Sequence, residues 1–126
     1  MAGYRIDRIT EDIKRELVHI LREVKDPRVS DMLTVVKVDV SNDLSYCKVY
    51  VSDVNGLESA AESVKGLKAA SGFIRKRLGS SLHLRKVPEL RFIADDSIEK
   101  GFALFDKLKS LHVSEDTAKE TDDDED

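Results

Sequence analysis

The fold of this protein is decided by residues 34–52, which read TVVKVDVSNDLSYCKVYVS. In both halves of this stretch, small apolar residues such as valine alternate with charged or aromatic residues. A strand shows this alternation when one face of its sheet is buried. The three residues between the two halves, Ser-Asn-Asp at 41–43, favour a turn, because Asn and Asp tolerate unusual backbone angles and hydrogen-bond their own backbone. The stretch therefore predicts a β-hairpin with strands at 34–40 and 44–52.

An amphipathic helix precedes the hairpin. Its apolar residues recur at steps of three and four, with charged residues between them. They are Ile6, Ile9, Ile13, Leu17, Ile20, Leu21 and Val24. Pro27 ends the pattern, because the residue before a proline is driven out of the helical region. We predict a helix at about residues 5–25 and a turn at 26–29.

Two further helices follow the hairpin. Asn55 and Glu58 have the spacing of a capping box, which predicts the start of the first of them. The triplet Ala-Ser-Gly at 70–72 then interrupts the apolar pattern, and a second short stripe follows it. A glycine inside a helix costs about 1 kcal/mol relative to alanine. The triplet therefore predicts a kink or a junction between two helices, with Gly72 as a site where the helices pass closely or as a contact to a ligand.

A third strand and a last helix complete the pattern. Pro88 precedes alternating residues at 89–94, which predict a strand. Asp96 and Glu99 repeat the capping-box spacing before an amphipathic helix. Its apolar stripe is Ile98, Phe102, Phe105 and Leu108. Helix, strand, strand, helix, kinked helix, strand and helix is an α+β order, and it matches the second topology of the KH domain, a recurrent RNA-binding module.

The composition of the chain changes near residue 112. Residues 1–112 carry a formal charge of +3 and residues 113–126 carry −7, so the net charge is −4. The second segment cannot bury enough apolar surface to offset the entropy of ordering it. We therefore predict one domain at 1–112 and a disordered acidic tail at 113–126. The tail either competes with nucleic acid for basic residues or only solubilises the chain.

Length and cysteine content exclude several classes of protein. The chain has 126 residues, which is enough for one core without staples. Its single cysteine, Cys47, excludes a disulfide-rich secreted domain. Charged residues within 1–13 argue against a signal peptide, and no apolar run approaches the roughly 18 residues of a membrane span. We therefore expect a cytoplasmic protein without a membrane partner.

No sequence motif points to catalysis. His19, His83 and His112 lack metal-ligand spacing, and Cys47 lies in a strand pattern that favours burial. Glycine-rich phosphate loops of the P-loop or dinucleotide-binding kind are missing from the sequence. We therefore expect no enzyme activity, no catalytic residue, no metal and no cofactor. Residues 65–91 carry a charge of +7 instead, which is compatible with a polyanionic partner.

Several segments resemble the ribosome-binding factor A family. They are RIDRI at 5–9, DPRV at 26–29, VKVDVS at 36–41, DLSYCKVYVS at 43–52 and VPELRF at 87–92. The most telling is Ala70-Ser71-Gly72 followed by FIRK at 73–76. An ordinary KH domain carries a Gly-x-x-Gly loop there, which clamps the nucleic-acid backbone, whereas this family has Ala-x-Gly as an interhelical kink. The resemblance covers about residues 4–111, and the acidic tail lies outside it.

The resemblance implies a bacterial-type cytoplasmic protein that binds the 30S ribosomal subunit late in its assembly. It implies help with the processing and folding of 16S rRNA, especially near the 5′ end and the neck of the subunit, and a link to growth in the cold. The implied partners are the 30S subunit, 16S rRNA and other assembly factors, with the protein itself a monomer. A different class stays open: a KH-like protein-interaction module that reaches ribosomes through a protein partner.

The departure from Gly-x-x-Gly shifts the predicted RNA contacts to flanking cations. Glycine lets a backbone approach phosphates closely, and the triplet Ala70, Ser71 and Gly72 is one residue shorter than that loop, so we do not expect the usual clamp. The candidate RNA-binding residues are Lys65, Lys68, Arg75, Lys76, Arg77, Arg85 and Lys86, with Arg5 and Arg8 as a second group that is equally explained as a solvated helix face. Tyr46 and Tyr50 share one strand face and can stack on bases, although sheet packing explains them more simply.

Overall fold

A computed structural model describes the backbone of residues 2–123 and the side chains of residues 5–111. The helices are α1 (Ala2–Ile20), α2 (Leu57–Ala69), α3 (Ser71–Leu82) and α4 (Ser97–Asp123), and a 3-10 helix at Leu21–Glu23 extends α1. The strands are β1 (Leu33–Val40), β2 (Tyr46–Asp53) and β3 (Glu89–Asp95). The predicted α+β class, the hairpin and the third strand are confirmed.

The three strands form one sheet in the order β1-β2-β3. β1 and β2 pair antiparallel as the hairpin, with Val38 opposite Val49. β2 and β3 pair parallel, with Val49 opposite Phe92. Parallel neighbours need a crossover connection, and α2 and α3 supply it here. The connection places the start of β3 beside the start of β2, next to the hairpin turn, and the end of β3 beside the end of β2.

The core lies between one face of the sheet and the first three helices. Val38, Val49 and Phe92 project from the sheet into a cluster with buried side chains of α1, α2 and α3. The large apolar helix side chains that are 0% exposed are Ile13, Leu17, Leu67, Ile74 and Leu78. These are residues of the predicted apolar stripes, because the positions that repeat every three or four residues share one side of a helix.

The first predicted capping box is wrong. Gly56, with φ of 110°, precedes α2 and makes no side-chain cap, while the Asn55 N–H donates to Asp53 at 2.7 Å. The carboxylate that reaches this helix end belongs to Glu99 of α4, which accepts the Leu57 N–H at 3.3 Å. Glu99 is therefore turned toward α2 rather than toward the start of its own helix, because the fold brings the two helix ends together.

The helices α2 and α3 are separated by a single residue, Ala70, with φ −97° and ψ 10°. Gly72 lies in the first turn of α3, and a Cβ atom placed there would meet nothing within 4 Å. The explanation of Gly72 as a close approach of two helices is therefore wrong. The close approach lies at Gly66, where a Cβ would sit 2.8 Å from Val29 and 3.0 Å from Asp26.

The helix α4 forms where it was predicted, but its apolar stripe is not part of the core. Phe102, Phe105 and Leu108 are 55%, 61% and 54% exposed, and Ile98 alone is partly covered. The helical backbone continues past residue 112 through Asp123, which differs from the disorder expected from residue 113. The division into a domain at 1–112 and a tail stays a prediction, because the side chains after Leu111 and residues 124–126 lie outside the description.

Candidate nucleic-acid interface

Two of the predicted RNA-binding arginines hold the fold together. Arg75 donates to the main-chain oxygens of Val87 and Pro88, at 2.8 and 3.2 Å. Arg77 pairs with Glu23 at 2.8 Å, and its guanidinium lies 5.9 Å from the centroid of the Phe73 ring. Both guanidinium groups are therefore engaged before any ligand arrives. Arg75 fixes the loop ahead of β3 to α3, and Arg77 fixes α3 to the end of the 3-10 helix.

Lys65 also has a partner, but a weak one. Its ammonium group lies 2.8 Å from the Glu62 carboxylate one turn earlier in α2, and both side chains are more than half exposed. Exposed pairs of this kind contribute roughly 0.2–1 kcal/mol. A phosphate can therefore exchange with Glu62 at little cost, so Lys65 stays available for binding.

Four of the seven predicted cations at 65–86 are exposed without an ion pair among residues 5–111. Lys68 lies on α2 and Lys76 on α3, while Arg85 and Lys86 lie in the loop before β3. None of the ion pairs between described side chains includes these four residues. Their charges face water and are the ones that a polyanion meets first.

The loop that presents Arg85 and Lys86 is fixed at both ends. It begins at His83, in the left-handed region with φ 53°, and the next N–H, of Leu84, donates to the Gly79 oxygen at 3.0 Å. It ends where Arg75 holds Val87 and Pro88. A Cβ at Gly79 would lie 2.7 Å from Val87, so glycine is needed for this approach. A short loop held in this way presents its two cations in one place.

The same loop lies beside the hairpin turn. The Glu89 N–H donates to the Ser45 oxygen at 3.0 Å. Hydrogen bonds from Ser45 and Ser41, with a smaller contribution from the nearby charge of Lys86, lower the pKa of Asp43 to about 2. Lys86 therefore lies near the turn that joins β1 and β2, at the end of the sheet where Tyr46 begins β2.

Arg5 and Arg8 lie on the exposed side of α1. Among the described side chains, neither residue makes an ion pair or a side-chain hydrogen bond. They are exposed cations on a different element from the first predicted group.

The junction at Ala70 borders a shallow depression of about 240 Å³, formed with residues 23–26 and Phe73. Two carboxylates line it: Glu23 is paired with Arg77, and Asp26 is paired with Arg28 at 2.8 Å. Hydrogen bonds from the Arg28 side chain and main chain lower the pKa of Asp26 to about 2. Lys25 lines the depression as well, and each carboxylate is paired with an arginine, so charges of both signs meet beside the junction.

The uncovered face of the sheet carries cations that the sequence reasoning did not select. The Arg91 guanidinium lies 4.4 Å from the centroid of the Tyr46 ring, and the Lys37 ammonium lies 5.6 Å from that of Tyr50. Lys48 lies between the two tyrosines on β2. The signal was present, because the alternation that buries every second strand residue also places those between them on one outer face.

The described residues include one buried cysteine and no cluster of metal ligands. Burial, aided by the charge of Asp39, raises the pKa of the Cys47 thiol to about 12, so the sulfur stays protonated and unreactive. Within residues 5–111, no three His, Cys, Asp or Glu side chains gather as metal ligands would. No helix over the described backbone is both long and apolar enough to cross a bilayer.

Fold and surface together define a small α+β protein whose three-stranded sheet is packed by helices on one face, with Arg85 and Lys86 exposed in a loop beside the hairpin turn. The chain belongs to the ribosome-binding factor A family, whose model matches residues 5–108. The family resemblance read from the sequence is thereby confirmed.

Individual relatives agree with this assignment. The chain is 49% identical to ribosome-binding factor A of Acetivibrio thermocellus over 98 residues, which are 77% of this chain and 80% of that protein. The solution structure of a candidate ribosome-binding factor A from Thermotoga maritima superposes with a TM-score of 0.67 at 36% identity, covering 77% of this chain and 92% of that one. A homology model of the Thermus thermophilus factor, fitted into a cryo-EM map of a complex between 30S and the factor, superposes with a TM-score of 0.58 at 29% identity, covering 68% and 90%.

Proposed function

We propose that this protein binds the 30S ribosomal subunit as a non-catalytic assembly factor and assists late maturation and processing of 16S rRNA, including its 5′ region. The observation that carries the proposal is family membership, together with a Thermus relative that was fitted into the map of a 30S complex. The proposed setting is the cytoplasm, with other assembly factors as further partners and no cofactor.

The exposed cations supply the binding energy in this proposal. Lys68, Lys76, Arg85 and Lys86 meet phosphates of folded 16S rRNA, and contacts of this kind position a protein without reading base sequence. Each contact releases counterions, so four of them lower the affinity roughly 50- to 150-fold between 50 and 200 mM salt. Binding and release then depend on the fold of the RNA, because the protein makes and breaks no bond.

The proposed contact surface is KH-like in topology but differs at the clamp. In the α-β-β-α-α-β order, the junction at Ala70 replaces the Gly-x-x-Gly loop. Since Arg85 and Lys86 are exposed neighbours in one short loop, we place the RNA backbone along that loop. The fixed ends of that loop reduce the entropy lost on binding.

A neutralised variant tests this proposal. Lys68, Lys76, Arg85 and Lys86 are changed to Gln, and affinity for purified 30S subunits is measured by co-sedimentation at several salt concentrations. The expected loss is at least about tenfold, with the salt slope reduced by about three. The matched control changes Lys14, Lys100, Lys107 and Lys109 to Gln, which removes the same charge elsewhere. Equal losses in both variants, or no loss in either, would overturn the proposal.

The exposed stripe of α4 favours a second candidate function, recruitment to ribosomes through a protein partner. Phe102, Phe105 and Leu108 are more than half exposed, and exposed apolar patches mark interaction sites. Residues 113–126, with a charge of −7, repel RNA but suit a ribosomal protein with a basic surface. If F102S/F105S/L108S abolishes binding to 30S, and wild-type protein ignores naked 16S rRNA, this candidate replaces direct RNA recognition.

A further inference from the structure

The sheet has one face that the described helices leave open. On β2, Cys47, Val49 and Val51 are 0% exposed and point into the core, so Tyr46, Lys48 and Tyr50 point the other way. They are only partly covered. The helix α4 meets the sheet at its far end, where the Ile98 N–H donates to Ser52 at 3.1 Å. The two tyrosines therefore lie on a surface that water reaches.

Each tyrosine ring on this face has a cation over it. Arg91, on β3, lies 4.4 Å from the Tyr46 centroid, and Lys37, opposite Tyr50 on β1, lies 5.6 Å from that ring. Lys48 lies opposite Arg91 in the parallel pair of strands β2 and β3. Three carboxylates lie on the same face, Asp39, Glu89 and Asp95, and Glu89 pairs with Arg91 at 3.1 Å. The face is thus aromatic, with a cation beside each ring and charges of both signs around them.

This face is continuous with the cationic loop. Tyr46 is opposite Glu89 in the parallel pair, and the Glu89 N–H bonds the Ser45 oxygen. Glu89 in turn follows the loop that carries Arg85 and Lys86 within a few residues. Tyr46 and Tyr50 are four residues apart along β2, a separation of about 13 Å at the rise of a strand. A nucleic-acid strand held by the loop can continue over both rings in turn.

We infer that the open face of the sheet binds unpaired RNA bases, with Tyr46 and Tyr50 as stacking platforms and with Lys37, Lys48 and Arg91 as their cationic neighbours. Base–aromatic stacking tolerates any sequence, because every base presents a π-face, and a guanidinium plane stacks on bases as well. Arg91 then either moves aside or extends the stack from Tyr46 to the base. The inference rests on the proposed function, since both place RNA on this protein, but it concerns a different surface.

Tyrosine fluorescence tests the inference directly. The chain has three tyrosines and no tryptophan, so in a Y4F background the emission comes from Tyr46 and Tyr50 alone. The probe is a single-stranded oligouridylate of about ten nucleotides, a length within the usual range of single-strand sites. Binding should quench the emission, and duplex RNA of equal length should quench it much less. Equal quenching by both would overturn the inference, because duplex bases cannot stack on a protein ring.

Two paired variants separate stacking from packing. Y46L/Y50L removes both rings but keeps apolar bulk, and it should weaken oligouridylate binding at least about tenfold. Y46F/Y50F keeps the rings and should bind nearly as wild type. Full affinity in the leucine variant would overturn the inference. If that variant fails to fold, K37Q/R91Q gives the same test from exposed side chains, and its undiminished affinity would overturn the inference equally.

The 30S experiment keeps the two proposals apart. If neutralising Lys68, Lys76, Arg85 and Lys86 abolishes 30S binding while Y46L/Y50L still binds oligouridylate fully, only the stacking face is wrong. If the neutralised variant binds 30S as wild type does, the proposed function fails, whichever result the tyrosine variants give.

Discussion

Three carboxylates, Asp53, Asp26 and Asp43, accept hydrogen bonds from neighbouring loop residues. Asp53 accepts the Asn55 N–H at 2.7 Å and the Ser59 hydroxyl at 2.9 Å. Burial raises its pKa, but the hydrogen bonds from Ser30, Asn55 and Ser59 outweigh burial, so the pKa is lowered overall. Asp26 and Asp43 have pKa values of about 2 for the same reason, through bonds from Arg28 and from Ser45. All three carboxylates are bound more favourably when charged.

These carboxylates set the acid limit of stability. Their pKa is lower in the folded protein than the unfolded value of 3.8, so their contribution is present above that pH and is lost as the pH falls toward 2. We expect a melting temperature that is constant near neutrality and falls from about pH 4 downward. Between pH 5 and pH 2, the melting temperature of the D26N variant should fall less than that of the wild type. A flat profile down to pH 2 would contradict this.

Two glycines give a matched pair of residue-scale tests. In G66A the new Cβ lies 2.8 Å from Val29, so we expect destabilisation by about 1–3 kcal/mol. In G72A the Cβ meets nothing within 4 Å, so alanine should be neutral or stabilise by about 0.4–1 kcal/mol. Urea unfolding measures both. The opposite order would mean that the tight contact is at the junction and not at the loop of residues 26–29.

The cations mark the limit of what sequence could predict at this scale. The density of charge in residues 65–91 predicts a cationic surface in that region. It could not show that Arg77 would be paired with Glu23, because those residues are far apart in the chain and meet only through the packing of α3 on α1. It also could not show that Arg75 would hold Val87 and Pro88, since main-chain acceptors leave no mark in a charge pattern.

At the scale of elements, α4 stands apart from the other helices. Its side chains from Phe102 to Leu111 are all exposed. Each of α1, α2 and α3, in contrast, buries apolar side chains in the core. The sequence predicted all four helices from the same three- and four-residue periodicity. Periodicity identifies an amphipathic helix but not what covers its apolar side, and for α4 the described chain supplies no cover.

Removing most of α4 should therefore leave the fold intact. Deletion of residues 101–126 keeps Ile98 and Glu99, which touch β2 and α2, and should change the free energy of unfolding by less than about 1 kcal/mol. The comparison variant is L78A, which empties a position that is 0% exposed and should cost about 2–5 kcal/mol. A truncated protein as unstable as L78A would show that α4 packs on the core.

At the scale of the whole molecule, charge is divided unequally. Residues 1–112 carry +3 and residues 113–126 carry −7. If the acidic segment competes with RNA for the cations, deleting residues 113–126 should raise affinity for an unrelated structured RNA several-fold at low salt. Filter binding measures it, and replacing the segment by an uncharged one of equal length controls for size. Unchanged affinity would leave the segment a solubilising end.

The fold as a whole was more predictable than its surface. The hairpin at 34–52, the break near 70–72 and the strand after Pro88 all follow from local patterns, because alternation, glycine and proline act within a few residues. The two capping boxes were read from equally local spacing, yet Glu99 bonds α2 instead of its own helix. Local spacing cannot exclude a better partner that only the tertiary fold supplies.

Directed hydroxyl-radical probing tests the central claim that the cationic loop meets 16S rRNA on the 30S subunit. K86C places one accessible thiol for an iron chelate, because Cys47 is 0% exposed and its pKa is raised to about 12. K107C, on α4, is the matched probe position. We predict strong, localised cleavage of 16S rRNA from residue 86 and much weaker cleavage from residue 107. Cleavage from residue 107 alone, or from neither position in a complex that still forms, would contradict the claim.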